Sequence, residues 1–499
     1  MTALAILAAA AVYTRPMERV TSLDPINAQA VYDSKVVQLL YETPLDIDYS
    51  ARPYRLVPGA CELPEVSADG LVYRFRMLSR GVSAADAVAS LERLRDPANA
   101  SPGGWTMKNV AAVTALDERT FEIRLKTRQH VFPWMMAMSY AAIRRPDGSG
   151  TGPYTLASWR KNHAMTFVRN PAWWTEHAAA VEPGVPFDEL RFLVIDDVST
   201  QWLMFLKGEL DFLGEISRDN WDAVVDGDGG LDPRLAAEGV KLNGIPTLSV
   251  MYIAFNMRDP VLGANRKLRQ ALNCAFDFPA WRRFYNNRVE AATGPVPSGV
   301  AGRLETPSPY AFDLAKAKRL MAEAGYPEGI DPATGRRLVL TLDIGRASQD
   351  SRESGELLAS FFARIGVRLE LRFHTWGAFL KAVDEGRTQM FMMGWVGDYP
   401  DAENFLQLFH SRNVSPGANH ANYANPAFDE AYDAAMAAAD PAEREARWRT
   451  AQEIVREDCP WIFTHYPKSY SLVRARVGNY IPSDFPYGQE RHLRAEEAK

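Results

Sequence analysis

Gly394-Trp395-Val396-Gly397-Asp398-Tyr399-Pro400-Asp401-Ala402-Glu403-Asn404-Phe405-Leu406 decides how the rest of the chain is read. The apolar run just before and into it, Met390 to Trp395, has the length and composition of a buried strand. Gly397-Asp398-Tyr399-Pro400 then stops the run with turn-forming residues. A tryptophan and a carboxylate are thereby held at the rim of a rigid element. There an indole can wall a pocket and an acid can face a cation.

Working outward, the C-terminal half alternates helix and strand. The spacing predicts helices over 314–324 and 353–365, stopped by Gly325 and Gly366 at left-handed caps. Strands are expected at 338–344 and 367–373, and a helical pair, 428–439 with 443–457, broken at Asp440-Pro441. This βαβ-like rhythm implies an α/β domain with a mainly parallel sheet. Further back, 250–256 reads as a strand and 267–276 as a helix.

The N-terminal half is richer in punctuation. Residues 32–41 have helical spacing, 71–76 and 120–125 alternate as half-buried strands, and Ser83 with Asp86 forms a capping-box pattern for a helix reaching Leu94. Strands are expected at 154–159, 165–169 and 190–195, with a helix over 199–206. Asn170-Pro171-Ala172-Trp173-Trp174 reads as the turn closing the 154–169 strand pair, and the three glycines within 148–152 have a hinge-like composition.

At 499 residues the chain exceeds one hydrophobic core, so two or three domains are expected. A net charge of −6 argues against a nucleic-acid partner. Cys61, Cys274 and Cys459 show no metal-binding spacing; three buried thiols are expected, with a Cys274–Cys459 bridge left open. Asp226-Gly227-Asp228-Gly229-Gly230 lacks the glycine and glutamate an EF-hand requires and reads as a solvated turn. No nucleophile elbow, phosphate loop, dinucleotide fingerprint or zinc-protease motif is present, so neither a catalytic residue nor a metal or cofactor is expected. Residues 1–12, MTALAILAAAAV, are too short to span a bilayer. They are either a clipped secretory signal, the favoured reading, or a ragged apolar end.

The opening stretch resembles the signature of the extracytoplasmic solute-binding proteins of family 5, the dipeptide and oligopeptide binders of peptide ABC importers. Six further segments fall in the expected order: 21–25 (TSLDP), 40–45 (LYETPL), 66–75 (VSADGLVYRF), 150–154 (GTGPY), Phe255-Asn256 and 267–272 (KLRQAL). One departure is a shortened stretch at 78–88, which lacks the family's His-Asp-Gly.

The resemblance implies a two-lobed periplasmic-binding-protein fold (type II, cluster C) with a hinge and an extra small domain. Lobe I would comprise 13–43, 152–254 and 468–499, the extra domain 44–151, and lobe II 255–467. It also implies a periplasmic or extracytoplasmic protein, with membrane association open, that captures short peptides in an interlobe cleft and hands them to a membrane permease as a monomer. Asp398 matches the aspartate that pairs with a peptide α-ammonium, and Trp395 a pocket tryptophan. Gly394, Val396 and Gly397 would offer backbone groups to the ligand, with Tyr399 beside them. Arg346 aligns with an arginine that clamps a ligand carboxylate, and Tyr41 and Glu42 with a segment lining the cleft. Other solutes of the family, nickel chelates, oligosaccharides and opine-like compounds, are the alternative, and a binder without a transport role remains beside them. A hydrolase using Asp398, Asp401 and Glu403 is the reading from a different class.

Overall fold

A computed structural model describes residues 10–28, 30–177, 184–217, 220–226, 230–483 and 489–496. The chain forms two compact units, 1–245 with 469–499, and 246–468. It passes between them at Ile245–Pro246 and again at Lys468–Ser469. The first crossing therefore falls nine residues before the expected 254/255 boundary, and the Ser249–Phe255 strand belongs to the second unit.

The first unit is built on a four-stranded sheet in the order Val12–Met17, Glu189–Val194, Ala164–Arg169, Tyr154–Arg160. Only its first pair is parallel. The Val31–Leu40 helix buries Val36 and Leu39 in the same core as Tyr13, Phe167 and Phe192. Residues 44–151 carry a separate antiparallel sheet, Glu65–Val66, Val72–Arg76, Thr120–Leu125, Val110–Ala115, and remain within this unit. The Ala84–Arg95 helix packs on it, started by the expected box: the Ser83 hydroxyl accepts from the Asp86 N–H, and the Asp86 carboxylate accepts from the Ser83 N–H at 2.8 Å.

Two local expectations change here. Asn170-Pro171-Ala172-Trp173-Trp174 is not a closing turn, because Pro171 opens a short helix, Pro171–Glu176. Nor do the 148–152 glycines lie at either crossing. A Cβ on Gly150 would come 1.8 Å from the Leu40 carbonyl oxygen, and one on Gly152 2.4 Å from that of Leu39. Those glycines let two backbones touch, which is a packing requirement rather than a hinge.

The second unit is centred on a sheet whose order runs from residues 461–468 of the Trp461–Val473 strand through Ser249–Phe255, Met390–Val396 and Val339–Ile344 to Arg368–Phe373. It is mixed, correcting the expectation of a mainly parallel sheet: Met390–Val396 runs parallel to Val339–Ile344 but antiparallel to Ser249–Phe255. The βαβ rhythm extends only over 338–396, and the strands on the other side arrive from the crossings. One face is sealed by Leu268, Leu272, Leu358 and Phe362 of the Arg266–Ala275 and Gln349–Ala363 helices. Gly325 and Gly366 take positive φ at the helix ends as expected. All three cysteines are buried and free, so the bridge left open between Cys274 and Cys459 is not formed. Residues 227–229 of the glycine-rich turn and 1–9 of the apolar N-terminus lie outside the described residues. No helix among the described residues is long and apolar enough to cross a membrane.

Candidate functional site

The Met390–Val396 strand is paired along its whole length on one side, from Phe255 opposite Met390 to Ser249 opposite Val396. On its other side Val339–Ile344 stops at Ile344, opposite Met392. Gly397 donates its N–H to the Leu248 carbonyl at 2.7 Å, which fixes the alternation. By that alternation Trp395 and Gly397 turn their backbone groups toward Ser249–Phe255, while Gly394 and Val396 turn theirs to the unoccupied side. Val396 is 69% exposed. A short open strand edge thus begins where the parallel neighbour ends, at the carboxyl ends of the parallel strands, where α/β sheets carry their ligands.

The rim beyond this edge is organised by Asn404, which the sequence reading quoted without a role. Asn404 is fully buried. Its Oδ1 accepts from Trp395 Nε1 at 2.9 Å and from the Asp398 N–H at 3.2 Å, and its Nδ2 donates to Asp398 Oδ2 at 3.2 Å. One amide therefore orients both the indole and the carboxylate. The signal available was an Asn six residues after the acid, followed by the apolar Phe405 and Leu406 in a short helix. Asp401 starts that helix, Ala402–Leu406, by accepting from the Glu403 N–H at 2.9 Å. Glu403 is buried, and its two oxygens accept the hydroxyls of Tyr399 and of Tyr432.

Asp398 differs from these neighbours. Among the described residues its carboxylate has no cationic partner and accepts a hydrogen bond from Asn404 alone. Burial pushes its pKa up, with the Asn404 bond opposing. Of the three acids of the hydrolase reading, Asp401 caps a helix and Glu403 serves two tyrosines, whereas Asp398 is held by the Asn404 amide.

The remaining sequence-predicted residues are spread over both units. Arg346 is exposed in the loop after Val339–Ile344, at the same carboxyl end as Gly394. Tyr399 is buried, with its hydroxyl committed to Glu403. Tyr41 and Glu42 belong to the first unit. Tyr41 donates to the Gly148 carbonyl at 3.1 Å. Glu42 is buried, accepts from the Ser79 hydroxyl at 3.0 Å, and faces His177 Nε2 at 3.2 Å. Burial pulls the His177 pKa down, but the bond to Glu42 and its charge outweigh this and hold it above the usual value. No cluster of three or more metal-ligating side chains occurs among the described residues.

The profile described as "Bacterial extracellular solute-binding proteins, family 5 Middle" matches residues 55–416. The chain belongs to this family. It is similar to heme-binding protein A of Haemophilus influenzae, 27% identical, with 86% of this chain and 82% of that one covered. It is also similar to the glutathione-binding protein GsiB of Escherichia coli K12, 26% identical, with 89% and 86% covered. Among solved structures, the unliganded open form of the periplasmic murein tripeptide-binding protein MppA superposes with a TM-score of 0.81, 22% identity and 98% of each chain covered. The fold is thus the expected two-lobed α/β periplasmic-binding-protein fold.

Proposed function

We propose that this extracytoplasmic solute-binding protein captures short peptides and delivers them to the membrane permease of an ABC importer, without catalysing a reaction and without a cofactor. One observation carries the reading: Asp398 is a largely buried carboxylate with no cationic partner among the described residues. An ionised acid held this way is costly unless a ligand cation completes it. A peptide α-ammonium fits, because a charge-assisted bond in such surroundings is short and strong. The open edge at Gly394 and Val396 would pair with a peptide main chain and leave side chains unread, the way an added strand binds. Arg346, at the same end of the sheet, would meet the terminal carboxylate, and Trp395, fixed by Asn404, would wall the pocket. The protein would act as a monomer, with lobe I comprising 13–43, 152–245 and 469–499, the extra small domain 44–151, and lobe II 246–468.

The test is mass spectrometry of ligand released by denaturing purified protein, run beside Asp398→Ala. Short peptides from the wild type alone would support both the ligand class and the ammonium site. A peptide content unchanged in the variant would remove Asp398 from the site, and a sugar or metal chelate in both samples would move the function to another solute.

A further inference from the structure

The first unit holds a second charge imbalance, of opposite sign. Arg15, on the Val12–Met17 strand, and Lys35, on the Val31–Leu40 helix, both reach one oxygen of one acid: Arg15 Nη1 to Glu490 Oε1 at 2.9 Å, and Lys35 Nζ to the same atom at 3.1 Å. The three side chains are 12%, 3% and 1% exposed. Two cations therefore share one carboxylate almost out of water. The burial of Lys35 lowers its pKa to about 8, with Arg15 adding to the fall and Glu490 opposing it.

Arg15 and Lys35 also line a pocket of about 380 Å3. Their donors are not exhausted. Arg15 Nε is given to the Pro16 carbonyl and its face lies over the Phe212 ring, 4.4 Å from the centroid, but Nη2 has no acceptor among the described residues. Lys35 Nζ has three protons and one acceptor. The acids on the same pocket, Glu18 and Glu215, are exposed, and Glu18 already accepts from the Tyr32 hydroxyl at 2.6 Å. Water screens them, whereas the buried cations act at lower effective dielectric. The buried charges at this pocket are therefore two cations against one acid.

We propose that Arg15 and Lys35 form an oxyanion-binding subsite of the first unit, which takes a carboxylate or phosphoryl group of a small molecule. The anion would accept from Arg15 Nη2 and Lys35 Nζ, supplying the second negative charge that Glu490 alone does not. Tyr480, Ser471 and Gln201, also on the pocket, offer neutral hydrogen bonds around it.

The test is a titration of arginine-15N-labelled full-length protein with sodium acetate and, separately, with inorganic phosphate, at constant ionic strength set by sodium chloride. The Nε resonance of Arg15, identified by its loss in Arg15→Gln, should move saturably with at least one anion. Saturation by acetate assigns a carboxylate and saturation by phosphate alone a phosphoryl group. Lys35→Met should weaken the binding about tenfold, the value of one charge-assisted contact. Should Arg15→Gln not fold, the resonance perturbed in Lys35→Met identifies the site. No saturable shift with either anion, or a shift unaltered in Lys35→Met, overturns the proposal. No peptide is used, so its failure and a failure of the Asp398 reading are separable.

Discussion

The rim at 394–404 and the Arg15–Lys35–Glu490 cluster are each left electrically incomplete, in opposite senses. Among the described residues, the rim presents one carboxylate with a neutral amide as its side-chain partner, and the cluster presents two cations with one acid. Glu403, five residues from Asp398, is the internal control: also a carboxylate, but with both oxygens satisfied. A buried charge that is fully partnered holds a fold together, and one left short of a partner has room for a ligand.

The comparison is broken most severely at Glu490. Glu490→Gln leaves two buried cations without an anion, and should destabilise the protein by about 3–5 kcal/mol in urea unfolding. Added phosphate should recover part of that loss, since an occupied subsite supplies the missing charge. A variant as stable as the wild type would show that the cluster is not short of negative charge.

Glu403→Ala should come next, at about 2–4 kcal/mol, because two buried tyrosine hydroxyls lose their acceptor. Equal stability of variant and wild type would dissolve the contrast with Asp398. Asp398→Asn should act the other way. It keeps an oxygen for Asn404 and removes an unpaired charge, so the ligand-free protein should gain about 1 kcal/mol while cation-bearing ligands bind about thirtyfold more weakly or worse. Because the folded-state pKa of Asp398 is raised, its cost is fully present at neutral pH and fades as pH falls through that value. Calorimetric melting at acid and at neutral pH should therefore show a smaller gain in stability with rising pH in the wild type than in Asp398→Asn.

The smallest effect concerns the Glu42–His177 pair. A raised histidine pKa stabilises the fold fully below the unfolded value near 6.5, and that stabilisation is lost as pH rises through the folded value. His177→Gln should flatten this dependence by about 0.5–1 kcal/mol between pH 6 and 8, measured by thermal melting.

Much of the second unit was legible because its signals are short-range. Gly325 and Gly366 mark helix ends by a backbone conformation that needs no distant partner, and in the first unit Ser83 with Asp86 closes a box across three residues in the same local way. The Met390–Val396 strand follows from its apolar run. Pairing direction was not legible: the same run fits a parallel or an antiparallel neighbour, and here it has one of each. The 148–152 glycines were misread for the same kind of reason. Composition shows that bulk is missing, but only the approach of Leu39 and Leu40 shows what the missing bulk admits.

The sequence alone therefore determined the family, the order of elements and the strand that presents Trp395 and Asp398, since each rests on residues within a few positions of one another. Tertiary structure decided where charge is balanced. Asn404 acquires its role when a helix turns it back under the strand, and Glu490 meets Lys35 across 455 positions of chain. Coulomb interactions depend on distance and surrounding dielectric, and folding sets both.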